Sequence, residues 1–273
     1  MPVFTAPDGT SLVFDDPGGE GPPILALAGL TRTAADFDFV APHLPPCRLI
    51  RMDYRGRGRS AWADPATYTI QTEATDALAL IDHLGLPKTA VLGTSRGGLI
   101  AFVLALVAKD RLTGVALNDI GPEIDPVGLA HIQTYIGRRP EERTLAEAAR
   151  ARARSVSGFE NVSEGRWAEE VSRLYVETAE GLDLQYDPRL SEIFSSGATQ
   201  PAPDLWPMFD ALEGLPTALI RGANSNLLGA ETAAEMRRRR PDMIYADVPD
   251  RGHVPFLDEP EALAALTSWI DAL

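Results

Sequence analysis

Ser95 lies in Gly93-Thr94-Ser95-Arg96-Gly97, between the apolar run Ala90-Val91-Leu92 and an apolar stretch of helical character that reaches Val107. A serine hydroxyl is a weak nucleophile. It becomes reactive where a base lies within hydrogen-bond reach and the backbone aims it outward. A sharp turn from strand to helix does the aiming, with Ser95 at positive φ and its backbone beside the positive end of the following helix. Side chains at 93 and 97 would collide with the neighbouring helix and strand, so glycine is expected at both. In a chain with 23 glycines the five-residue pattern also arises by chance. The strand before it and the helix after it give it meaning.

The base must come from four histidines. His43 and His83 fall near helix ends in surface patterns. His131 lies in a charged helical region, where it faces solvent or lines a pocket. His253 follows the last apolar run, in the loop 249–256, and is the base that this spacing favours. Other chemistries lack their residues. There is no His-Glu-x-x-His, a single cysteine (Cys47), and no glycine-rich phosphate loop, since Gly56-x-Gly58 has no third glycine. No cofactor and no metal are expected.

To position Ser95 and His253, the chain must alternate strands and helices. Asp8-Gly9 between two β-rich runs predicts a hairpin. Ile24 to Ala28 is an unbroken apolar run, the mark of a strand buried on both faces. A helix over 34–43, a strand over 48–52, a helix over 70–84, the Ser95 unit and a strand over 114–117 follow. Residues 122–205 are charged, helical in pattern and strand-poor, and read as an insertion. Alternation returns with a strand at 217–220, a helix over 229–240, a strand at 243–248 and a final helix over 259–273. The expected domains are a core of residues 1–121 and 206–273 and a helical cap of 122–205. Such alternation implies an α/β fold, a mainly parallel twisted sheet with helices on both faces, with ligands at the carboxyl ends of its strands. Ile132, Tyr135 and Ile136 recur at helical spacing in the cap and either face the pocket or pack on the sheet domain.

The net charge of −14 argues against nucleic acid as a partner. Arg51, Arg55, Arg57 and Arg59, and the run Arg237 to Arg240, are read as structural or solvated; Asp53 and Arg55 are expected to brace their loop. No apolar run reaches membrane-span length, the N-terminus has no signal pattern and there is one cysteine, so the expected location is the cytoplasm, without membrane association. The near-exclusive use of arginine, with Lys88 and Lys109 the only lysines, suggests a GC-rich bacterial genome.

Together these residues resemble the α/β-hydrolase fold family over nearly the whole length. The resemblance is carried by Gly93 to Gly97, Ala28-Gly29-Leu30, the loop from Asp53 to Ser60, the segment from Arg221 to Leu228, and Gly252-His253. Similarity is nearest to the small bacterial esterases, enol-lactonases and cofactor-free haloperoxidases. It implies a serine hydrolase acting on a small carboxylic ester or lactone, as a monomer or homodimer. The backbone amides of Leu30 and Arg96 would form an oxyanion hole; the Arg96 amide opens a helix and lacks an intrahelical partner. A serine nucleophile argues against the dehalogenases and epoxide hydrolases of the same fold. Perhydrolase or haloperoxidase chemistry, acyl transfer, C–C hydrolysis and a ligand-binding protein of little turnover remain as alternatives. The family's acid position after the next strand of the core is occupied here by Asn226, which implies a weakened catalyst. Asp119 is the fallback acid, read otherwise as a loop residue capping local backbone. Asp247 and Asp250 lie on the wrong side of the turn.

Overall fold

The computed structural model describes residues 2–194 and 203–273. Ten strands and eight α-helices are assigned among them. An eight-stranded sheet runs in the order β1-β2-β4-β3-β5-β6-β9-β10. β1 (Val3–Thr5) and β2 (Ser11–Asp15) form the expected antiparallel hairpin, and β2 pairs antiparallel with β4 (Arg48–Met52). β3 (Pro23–Leu27), β5 (Thr89–Thr94), β6 (Leu112–Asn118), β9 (Thr217–Gly222) and β10 (Ile244–Val248) extend it in parallel.

Alternate strand residues face opposite sides, and each side has its own core. Leu25, Val91, Val115 and Leu219 pack with Leu80 of α1 (Ile70–His83), Ile100 of α2 (Arg96–Val107) and Met236 of α7 (Ala230–Arg239). Ile24, Ala90, Ala116 and Ile220 pack on the other side with Phe37 and with Leu266 and Trp269 of α8 (Pro260–Asp271). The central strands are therefore apolar on both faces, which is why they read as unbroken runs.

Two expectations are corrected. Residues 34–43 form two short 3-10 segments, Ala34–Asp38 and Ala41–His43, with Pro42 in the second. Proline supplies no N–H, so an α-helix across this stretch would lose a bond. Between β6 and β9 the chain is not purely helical. It carries α3 (Pro126–Tyr135), α4 (Leu145–Ser155) and α5 (Glu164–Ser172), then an antiparallel ribbon of β7 (Tyr175–Thr178) and β8 (Gly181–Leu184). A 3-10 segment, Pro188–Phe194, follows, and α6 (Trp206–Asp210) leads back to β9. Part of the predicted cap, residues 195–202, lies outside the described residues.

Of the arginines in the 51–59 loop, Arg51, Arg55 and Arg57 are held in ion pairs, and Arg59 is exposed. Arg55 is buried, forms a bidentate pair with Asp76 (2.7 Å) and makes a single bond from Nη1 to Asp8 (2.7 Å). Asp53 accepts from the amides of Ala34 (2.8 Å) and Arg59 (3.1 Å), bracing its loop. Arg237 stacks on Tyr245, and Arg238, Arg239 and Arg240 pair with Glu235, Asp210 and Asp242.

Candidate active site

Ser95 occupies the turn between β5 and α2 at φ +50°, in the left-handed region that its role requires. The flanking glycines are sterically enforced. A Cβ on Gly93 would lie 2.5 Å from the Gly97 carbonyl carbon at the start of α2, and one on Gly97 would lie 2.0 Å from the Leu27 carbonyl oxygen of β3. The Ser95 amide is spent on the Asn118 carbonyl (2.9 Å), which ties the turn to the end of β6.

His253 reaches this turn from the loop after β10. Its Nε2 lies 2.9 Å from Ser95 Oγ and its Nδ1 lies 2.7 Å from Asp119 Oδ2. Asp119, the residue after β6, is fully buried and at φ +56°. Its Oδ1 accepts from the Gly222 amide (2.8 Å), and its Oδ2 also accepts from the Ser225 hydroxyl (2.6 Å). Three donors therefore converge on one carboxylate, the arrangement that keeps a buried charge satisfied.

Asn226 does not hold the acid position. The single proton that Nδ1 can donate is directed at Asp119, and the Asn226 side chain makes no hydrogen bond to a described residue. It lies half-buried on the cavity wall. Sheet order supplies the reason. β6 lies between β5 and β9, so a carboxylate at its end sits between the serine turn and the loop that follows β9. Ser225 is the supporting residue that sequence reasoning missed. It donates to Asp119 and accepts the amides of Leu227 (3.2 Å) and Leu228 (3.1 Å), closing the loop beneath the carboxylate.

The amides of Leu30 and Arg96 donate to no described residue, and both residues border the Ser95 turn by chain or cavity position. Both are anchored. The Leu30 carbonyl accepts from Arg57 Nε (3.0 Å), and the buried Arg96 side chain donates to Glu73 (2.6 Å) and to the Tyr68 carbonyl (2.9 Å). Glu73 also pairs with Arg57 (2.9 Å), so one buried carboxylate braces both strand-end turns. Tyr54 donates to the Ala28 carbonyl (3.0 Å) at the same turn.

Ser95 and His253 open into a cavity of about 380 Å³. Its floor is the sheet edge and its roof is the segment between β6 and β9, including Ile132, Tyr135, Phe159 and Trp167. Ile132 and Tyr135 thus face the cavity, whereas Ile136 is buried beside Tyr68, Leu184 and Leu190. His131 also lines the cavity, exposed, with its ring 5.7 Å from Tyr135. His83 packs its ring against Phe4 and Phe14, far along α1, and His43 ends a 3-10 segment. Among the described residues no three metal-ligating side chains come together. No described helix is long and apolar enough to cross a membrane.

Residues 22–260 match the family described as the alpha/beta hydrolase fold. The chain belongs to that family. A 3-hydroxybutyrate-oligomer hydrolase of Cupriavidus necator is 35% identical over 254 residues, covering 89% of this chain and 86% of the relative. The crystal structure of an alpha/beta hydrolase from Novosphingobium aromaticivorans is 36% identical, with a TM-score of 0.93, covering 100% of this chain and 98% of that one. An esterase of Mycobacterium tuberculosis is 26% identical over 93% of this chain and 84% of its own length. These α/β-hydrolase relatives support hydrolase as the class of activity.

Proposed function

We propose that this α/β hydrolase cleaves carboxylic esters through an acyl-enzyme on Ser95. The observation that carries the reading is the continuous relay from Ser95 Oγ through His253 to Asp119, at 2.9 and 2.7 Å. Those lengths are within the range for a nucleophile and base already in contact. His253 Nε2 takes the serine proton as Oγ attacks the ester carbonyl. Asp119 holds the Nδ1 proton and so fixes the tautomer that presents Nε2 as acceptor; its charge then stabilises the imidazolium. The amides of Leu30 and Arg96 receive the oxyanion. His253 returns the proton to the departing alkoxide, and water, activated by the same imidazole, releases the acid. The roof between β6 and β9 acts as the cap that sets which esters fit.

The likeness to a hydrolase of 3-hydroxybutyrate oligomers favours short esters of hydroxy acids over lactones. Mass spectrometry after brief incubation with a fluorophosphonate and, separately, with an activated ester tests the covalent step. One adduct is expected on Ser95 and none in Ser95→Ala. Turnover of an ester by a protein that stays unlabelled at Ser95 would refute it.

A further inference from the structure

The roof of the cavity carries an ionic cluster that the ester chemistry does not use. Arg32, two residues after Leu30, donates Nη1 and Nη2 to both carboxylate oxygens of Glu170 on α5 (3.1 and 2.8 Å) and Nε to Asp36 (2.6 Å). Every edge of its guanidinium is occupied. Arg152, on α4, reaches the same Glu170 from the other side through Nη2 (3.0 Å). Its remaining donors are not occupied. Nε is buried without an acceptor, and Nη1 donates to no described residue. All four side chains line the cavity that contains Ser95.

Neutral donors line the same cavity as this half-used guanidinium. Tyr135 on α3 and Tyr175 on β7 line the same wall, and neither hydroxyl bonds to a described residue. Burial pushes both phenols up, against the pull of Arg152 and Arg32. Both therefore remain protonated donors. Asp36 is held by Arg32 Nε, and Glu170 is saturated by the two arginines. Glu142 and Arg138, also on the cavity wall, offset one another in sign. A half-buried guanidinium whose Nη1 is free, on the same cavity wall as two free hydroxyls, is complementary to a carboxylate, which accepts several such bonds at once.

We propose that Arg152, with the hydroxyls of Tyr135 and Tyr175, receives a free carboxylate on the leaving alcohol, so that the substrates are esters of hydroxycarboxylic acids. The assignment rests on the ester-hydrolase reading of Ser95. The apolar side of the cavity, where Phe159 and Phe256 meet at 5.5 Å beside the His253 loop, is left for the acyl group. In the reaction the ester C–O bond breaks, the acyl group passes to Ser95 Oγ, and the serine proton travels through His253 to the alkoxide. The product leaving first is a hydroxy acid still held by Arg152; water then releases the second acid.

The test compares O-acetyl-3-hydroxybutyrate with its N-methylamide, which removes the free carboxylate without adding a second ester. Wild-type kcat/KM is expected to favour the acid by roughly 10- to 100-fold, the range for hydrogen bonds to a charged group. Arg152→Gln should bring that ratio near one, mainly by raising KM for the acid. Arg152→Lys should restore part of it, and Tyr135→Phe or Tyr175→Phe should each lower it several-fold. A wild-type ratio of one, or a ratio unmoved by Arg152→Gln and by both Tyr→Phe variants, overturns the proposal and leaves the cluster a structural tie between α4, α5 and the β3 loop. If Ser95 is acylated by an activated ester but the ratio is one, only this inference fails. If neither ester is cleaved and Ser95 stays unlabelled, the hydrolase reading fails with it.

Discussion

Asp119→Asn changes one atom and should nearly abolish turnover. The wild-type carboxylate accepts three hydrogen bonds, from the Gly222 amide, the Ser225 hydroxyl and His253 Nδ1. An amide has one oxygen to accept them and a nitrogen that must itself donate. If the oxygen stays on Gly222, the nitrogen faces His253 and selects the tautomer whose Nε2 carries a proton and cannot take one from Ser95. If it turns, the buried Gly222 amide is orphaned. Either way the charge opposite the imidazolium is gone. The same replacement in the serine-protease triad costs about 10⁴ in kcat, or roughly 5 kcal/mol of transition-state stabilisation. Initial rates on a neutral p-nitrophenyl ester, alongside urea unfolding to show that the fold persists, provide the assay. Asn226→Asp is the matched control, and it should change kcat by less than about fivefold because Nδ1 has no second proton to give. A folded Asp119→Asn enzyme within tenfold of wild type, or a large gain from Asn226→Asp, would refute the assignment of Asp119.

Three further outcomes are expected. Glu73→Gln leaves the buried guanidiniums of Arg57 and Arg96 without their shared carboxylate, so urea unfolding should show a loss of about 3–5 kcal/mol. Gly97→Ala places a Cβ 2.0 Å from the Leu27 carbonyl, forcing β3 and α2 apart; a loss of at least about 2 kcal/mol by the same measurement, with reduced kcat, is expected. Burial raises Glu170, but Arg32 and Arg152 outweigh it and hold its carboxyl down at about 2, against an ordinary 4.5. A lowered folded-state value means that its stabilisation, roughly 3 kcal/mol, is complete above about pH 4.5 and lost as pH falls toward 2. The difference in urea midpoint between wild type and Glu170→Gln should therefore shrink across that interval, whereas a constant difference would remove Glu170 from the acid response.

Local crowding is legible in a sequence, and long-range convergence much less so. Gly93, Ser95 and Gly97 could be read because the strand, the turn and the helix that constrain them are contiguous. The strand at Ile24 to Ala28 announced itself as an unbroken apolar run, because it is buried on both faces. The loop over 34–43 did not, because apolar residues there pack under the sheet edge while Pro42 interrupts any helix. The β7–β8 ribbon escaped notice because its strands are four residues long and carry Glu177 and Asp183. The Arg152 donors had no local signature. Their isolation depends on Arg32, 120 positions away, having claimed Glu170 first.

The acid is where chain position and three-dimensional position part. Counting from the resembled family pointed to residue 226, since the loop after β9 is the usual source of the carboxylate. Here the loop supplies Ser225 instead, a neutral donor that bonds the carboxylate arriving from β6. With the carboxylate at 119, the relay needs no acid at 226. Asn226 is then no sign of a weakened relay; it is a neutral polar group on the wall of the cavity that the ester enters.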